Sequence, residues 1–109
     1  MSMCMVRAVV RPETIDEVLS ALMYAGFPAV TKMDVYGRGK QRGMKVGNVT
    51  YDELPKEHFF TVIDEGEKAF VVQTIIKAAR TGAGNPGDGK VWVTPVEESY
   101  TVSSGSVGL

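Results

Sequence analysis

Residues 84 to 90 read Gly-Asn-Pro-Gly-Asp-Gly-Lys. They lie in the stretch TGAGNPGDGKVWV, Thr81 to Val93, whose first nine residues hold four glycines and one proline. A loop of this kind can bind phosphate. Closely spaced glycines let backbone N–H groups converge on an anion, and Lys90 adds a compact positive charge. The spacing fits the first seven positions of the P-loop pattern G-x-x-x-x-G-K. A magnesium-binding Ser or Thr should come next, and Val91 stands there instead. A P-loop also runs from strand to helix, whereas this stretch follows a helical pattern and precedes an apolar strand pattern. The nucleotide-hydrolase reading therefore fails. Two readings remain: a phosphate cradle, or a plain Gly/Pro turn ending a helix. Asp88 favours the turn, because a carboxylate repels phosphates.

A second loop, GRGKQRG from Gly37 to Gly43, carries Arg38, Lys40 and Arg42 among its glycines. It is either a solvated basic hairpin tip or a second anion site that can change shape when filled. Other chemistry is scarce. A small ferredoxin-like phosphatase would need a placed nucleophile or base, and no Ser-His or Cys-His constellation is visible. The one histidine, His58, falls in an apolar strand pattern. With Cys4 as the sole cysteine there is neither an intrachain disulfide nor a zinc set.

The elements that must position these loops follow from periodicity. MVRAVV (Met5 to Val10) reads as a strand. Thr14 and Glu17 form a capping-box pattern. Ile15, Val18, Leu19, Leu22 and Met23 then give one apolar helical face, stopped by Gly26. This predicts a helix over about 15–25. Ala29 to Tyr36 alternates as a second strand, and His58 to Ile63 reads as a third. Lys68 to Arg80 reads as a second helix, and KVWVTPV as a fourth strand. SYTV suggests a short fifth strand. Between the second and third strands lies a long loop, about 37–55, expected to be flexible. The tail 103–109 is expected to fray. The order β-α-β-β-α-β is the ferredoxin-like arrangement, an α+β class in which helices cover one sheet face. The strands carry apolar residues on both sides, as at Val9–Val10 and Phe59–Phe60. The other face is therefore expected to be buried in an oligomer.

The 109 residues suit a single domain, with 44% hydrophobic and 23% charged residues. Twelve basic and thirteen acidic residues leave a net charge of −1, so no long-range field attracts nucleic acid or an anionic membrane. The opening lacks the pattern of a secretory signal, and no apolar run approaches the length of a membrane span. Cytoplasmic location and no membrane insertion are expected.

Taken together, RAVVRP, TKMDVYGRGKQRG, YDELPK and ARTG with GDGKVWV resemble the PII family of nitrogen-signalling proteins. The likeness runs from about Met5 to Gly105. It implies a trimeric ferredoxin-like sandwich with ATP or ADP in clefts between subunits, and 2-oxoglutarate bound together with Mg-ATP. It also implies that the protein is a regulator and not an enzyme. Carried over residue by residue, Gly87, Asp88, Gly89 and Lys90 would wrap the phosphates, and Thr31 would touch the adenine region. Gly37 joins the nucleotide contacts, and Lys40 replaces a phosphate-binding arginine. Gln41 would ligate magnesium and touch 2-oxoglutarate. Lys56 would pair a 2-oxoglutarate carboxylate, with Gly39, Lys40, Arg42 and Gly43 holding the rest of that ligand.

The chain also departs from the family pattern. Its phosphate loop is two residues longer, and Thr101 and Ser103 replace two phosphate-facing arginines. Each lost contact is typically worth about 1.5–3 kcal/mol, so binding is expected to be weak unless another chain supplies charge. The loop after Gly43 is short, with Val49 where the enteric type carries its modified tyrosine. These features look most like the nitrogenase-regulating branch of archaea and anaerobes. That branch works with a paralogous PII partner and inhibits nitrogenase when 2-oxoglutarate is low. A homotrimer or a hetero-oligomer is thus implied. The alternative within the family is a regulator of an ammonium channel or of glutamine synthetase.

Overall fold

The computed structural model of the chain describes residues 2–38, 44–46, 49–51 and 53–109. β1 (Met3–Val10) leads through a 3-10 turn, Pro12–Thr14, into α1 (Ile15–Tyr24). β2 (Thr31–Gly37) follows, then two short strands, β3 (Met44–Val46) and β4 (Val49–Tyr51). β5 (Leu54–Asp64) is the longest strand. A second 3-10 turn, Glu65–Glu67, opens α2 (Lys68–Ala79), and β6 (Gly89–Val96) completes the sheet.

The main sheet has the order β2-β5-β1-β6, with every neighbouring pair antiparallel. With both helices on one face this is the ferredoxin-like α+β sandwich. The alternation of strand side chains puts Cys4, Val6, Ala8 and Val10 of β1 beneath the helices, with Phe59 and Ile63 of β5 beside them. All are buried against Val18 and Leu22 of α1 and Val71 and Ile75 of α2. α1 stops as its sequence requires. Gly26 takes φ 97, and the N–H groups of Phe27 and Gly26 donate to Leu22 O and Met23 O, closing a Schellman motif.

The other face carries Met5, Arg7 and Val9 of β1, half-buried, and their register partners. His58 and Lys90 flank Val9, while Phe60 and Trp92 flank Arg7. His58 stacks on Trp92 with ring centroids 6.1 Å apart and planes 17° apart. Arg7 Nε and His58 Nε2 are shut off from water without a partner among the described residues, and buried polar groups are normally paired. β6 is an edge strand, which is where Pro95 can sit without breaking the ladder.

Several expectations change. The loop over about 37–55 is interrupted: β2 continues to Gly37, β5 starts at Leu54, and β3 pairs with β4 in register Met44↔Tyr51. The capping box does not form. Thr14 Oγ donates to Arg11 O across the 3-10 turn and makes no cap bond. The proposed strand SYTV reduces to a single bridge, Tyr100 to Val107. In the tail, Thr101 N–H donates to Ser106 O at 2.9 Å and Gly108 N–H to Ser99 O at 2.8 Å.

Candidate nucleotide and effector site

β1 is antiparallel to both β5 and β6, and β2 is antiparallel to β5. One end of the sheet therefore collects the last residues of β1 and β2 and the first of β5 and β6. Gly37, Lys56, Arg11 and the loop Gly87–Lys90 all come to this end. Gly37 pairs with Leu54 and lies against the Lys56 side chain. Thr31 is not brought there. It sits at the far end of β2, opposite Phe60, roughly 20 Å of strand from Gly37 at about 3.3 Å per residue. Gly39, Lys40, Gln41, Arg42 and Gly43, and with Gln41 the expected magnesium ligand, lie outside the described residues.

The glycine loop is knotted around Asp88. Its Oδ1 accepts from the Thr81 hydroxyl at 2.5 Å and from Arg11 Nε at 3.0 Å. Its Oδ2 accepts from the N–H groups of Asn85 (2.9 Å) and Thr81 (3.0 Å). The Asn85 amide donates to both oxygens of Thr81, each at 2.9 Å, and the Asp88 N–H donates to Asn85 O. The Thr81 hydroxyl, then the Asn85 and Thr81 amides, and last Arg11 hold the Asp88 carboxyl far below the usual carboxylate range. It stays charged at any physiological pH. The charge is spent inside the loop and on Arg11, and this removes the main physical objection to an anion nearby.

Two cations reach the loop from the sheet. Arg11 also donates Nη2 to Pro86 O at 2.8 Å. Lys56 Nζ donates to Gly87 O at 2.7 Å. Burial first, and Arg11 second, hold the Lys56 ammonium below the usual lysine range. Lys90 is exposed at the start of β6, next to Val9. Gly87 and Gly89 take φ 93 and 132, values that favour glycine. Behind the loop, on the helix side, is an open cleft of about 330 Å³ with Val72, Ile76 and Val91 on its floor and Arg80 and Lys90 among its lining residues.

Sequence reasoning missed Arg11, Thr81 and Asn85. The signal available was Arg11-Pro12, since the residue before proline is held extended; Arg11 has φ −65 and ψ 144. Asn85 and Asp88 also carry the turn-forming side chains that bond their own backbone.

The chain matches the family described as Nitrogen regulatory protein P-II over residues 3–106. The protein named nitrogen fixation nifHD region glnB-like protein 1, from Methanococcus maripaludis, is 50% identical over 107 residues, covering 98% of this chain and all of that one. A nifHD region GlnB-like protein 2 from Methanothermococcus thermolithotrophicus is 35% identical and covers 93% of this chain and 91% of its own length. The crystal structure of Arabidopsis thaliana PII bound to citrate has a TM-score of 0.79 and 35% identity, covering 97% of this chain and 85% of that one. The protein is a PII signal-transduction protein, a member of the nitrogen regulatory P-II family. Within the family its relatives bear nitrogen-fixation-region names, in keeping with the nitrogenase-regulating branch. Among the described residues, no helix is long and apolar enough to cross a membrane.

Proposed function

We propose that this chain senses ATP or ADP and, in the presence of Mg-ATP, 2-oxoglutarate, and that it regulates nitrogen metabolism by protein contact without turnover. The target favoured is nitrogenase, inhibited when 2-oxoglutarate is low, and the compartment is the cytoplasm. The observation that carries this reading is the meeting of Gly37, Lys56 and Gly87–Lys90 at one end of the sheet, in a chain of this family. The nifHD-region names of the relatives support the target. In this reading the glycine amides and Lys90 receive the phosphates, and Asp88 acts from behind as the knot of the loop. Gln41 brings magnesium, and Lys56 pairs a carboxylate of 2-oxoglutarate.

The test is calorimetric titration with ATP. Lys90→Ala removes one charged contact and should weaken binding by about tenfold or more while leaving the melting curve in place. An unchanged affinity would reduce the loop to a turn.

Assembly as a trimer, homomeric or mixed with a paralogue, belongs to the same proposal. Thr31 lies far from the glycine loop of its own chain, so its place at a nucleotide requires a neighbouring copy. Among the described residues Arg7 Nε and His58 Nε2 lack partners on the face that neighbours would cover, and the 35% identical protein 2 is a paralogue of the kind a mixed ring needs. Light scattering at micromolar concentration should give about three times the 11.8 kDa chain mass. A folded monomer under those conditions would overturn the assembly.

A further inference from the structure

We infer that Arg11 and Lys56 are positioning residues of the nucleotide loop, a two-cation clamp that turns the Gly87 N–H toward the place where phosphate docks. This rests on the nucleotide reading above and adds to it a role for Arg11, and a second one for Lys56 that operates without 2-oxoglutarate.

The bonds around Asp88 join Thr81, Asn85 and Asp88 to one another. They set the shape of the loop but not its place on the sheet. Among the described residues, the hydrogen bonds reaching this loop from elsewhere in the chain come from Arg11 and Lys56. They fall on three consecutive residues: Pro86 O, Gly87 O and the Asp88 carboxylate. The two cations stand on different supports. Arg11 follows β1 and is held extended by Pro12. Lys56 lies in β5, opposite Val35 of β2. The clamp therefore spans the sheet end and fixes the loop from two directions.

Its effect on the backbone follows from peptide geometry. A trans peptide points its C=O and the next N–H in opposite directions, and among the described residues there is no cis bond. When Arg11 draws Pro86 O inward, the Gly87 N–H turns outward. When Lys56 draws Gly87 O inward, the Asp88 N–H turns away and meets Asn85 O at 3.1 Å. Gly87, at φ 93, has neighbouring peptide units that can flip at little cost. The clamp removes that freedom, so the anion meets donors already aimed.

The test uses full-length protein without 2-oxoglutarate. Hydrogen exchange is followed at the amides of residues 81–88, with core amides of β1 as the internal standard. ATP affinity is measured by calorimetry on the same samples. Arg11→Met and Lys56→Met should each speed exchange in the loop but not in the core, and each should weaken ATP by about tenfold. Arg11→Lys keeps the charge and loses the fork, so it should recover little of the lost affinity. Full recovery by Arg11→Lys would show attraction at a distance and overturn the clamp. So would unchanged loop exchange, or faster exchange with unchanged ATP affinity, in the two Met variants. If the wild-type chain binds no ATP, the nucleotide reading fails and the clamp's role falls with it. ATP binding that is normal in wild type and in both Met variants sinks the clamp alone.

Discussion

Replacing Gly89 by alanine is expected to cost about 3 kcal/mol or more of stability and to abolish nucleotide binding. Two effects add. Gly89 has φ 132, where a side chain is strained, and a Cβ built there falls 2.1 Å from Val9 O. That oxygen belongs to the backbone of β1, a central strand bonded on both sides, so it cannot retreat without pulling the sheet apart. The matching control is Gly26→Ala. Gly26 has φ 97 with nothing within 4 Å of an added Cβ, so it reports strain alone, about 1–2 kcal/mol. For a chain of this size the melting temperature should drop by roughly 12 °C or more for Gly89→Ala and by well under that for Gly26→Ala. Equal drops in thermal unfolding would mean that the close approach at Val9 carries no weight.

Lys56→Ala is expected to abolish the response to 2-oxoglutarate while leaving the complex with the protein target in place. A hydrated dianion needs a cation, a metal and several N–H donors at once before it will leave water. Losing a partly buried ammonium from such a set costs about 2–5 kcal/mol, which is roughly 30-fold or more in affinity. In a nitrogenase assay the variant should inhibit as wild type does without effector, and should go on inhibiting when Mg-ATP and 2-oxoglutarate are added. Because a ligand shifts an equilibrium only through its differential affinity for the two states, loss of that affinity leaves the inhibitory state untouched. Binding in wild type also has a pH signature. The Lys56 ammonium sits below the ordinary lysine range through burial and the nearby Arg11. The effector needs the protonated form, so its affinity should hold at neutral pH. It should then fall on the alkaline side at a lower pH than an unperturbed lysine, near 10.4, would give. Tight 2-oxoglutarate binding in the absence of nucleotide, or a normal response in Lys56→Ala, would refute the mechanism.

The elements that could be read from the chain are those whose apolar period is unbroken. α1 and α2 came from their i, i+3, i+4 stripes, and Val18, Leu22, Val71 and Ile75 of those stripes are indeed buried. β1 and β6 came from short valine-rich runs. The first four residues of β5 escaped because Leu-Pro-Lys-Glu offers a proline and two charges where a strand signal wants alternation. Their strand character comes from pairing with Tyr36 and its neighbours in β2, a tertiary effect that local propensity does not carry. The pair β3 and β4 had a local signal, Gly47-Asn48 between two valines, but three residues a strand is too little for periodicity to register.

At the site, GDGK stands out by composition, and LPK only through the resemblance to the family. Arg11 does not, because its meaning depends on Asp88, 77 positions away. Asp88 likewise depends on contacts the sequence does not display. As a free carboxylate it argues against phosphate, and its four bonds to Thr81, Asn85 and Arg11 answer that objection.

Pro95 bears on what a single copy can do before it meets others. The outer side of β6 is an open row of backbone donors and acceptors, and such rows template aggregation between unrelated chains. Proline brings no N–H, so a foreign strand aligning along β6 finds the hydrogen-bond ladder broken near its end, one residue before Val96. The sheet face with Met5, Val9, Phe60 and Trp92 is unaffected, while this edge discourages indiscriminate growth. Open-ended growth of fibres through β6 is thus disfavoured at the level of the single chain.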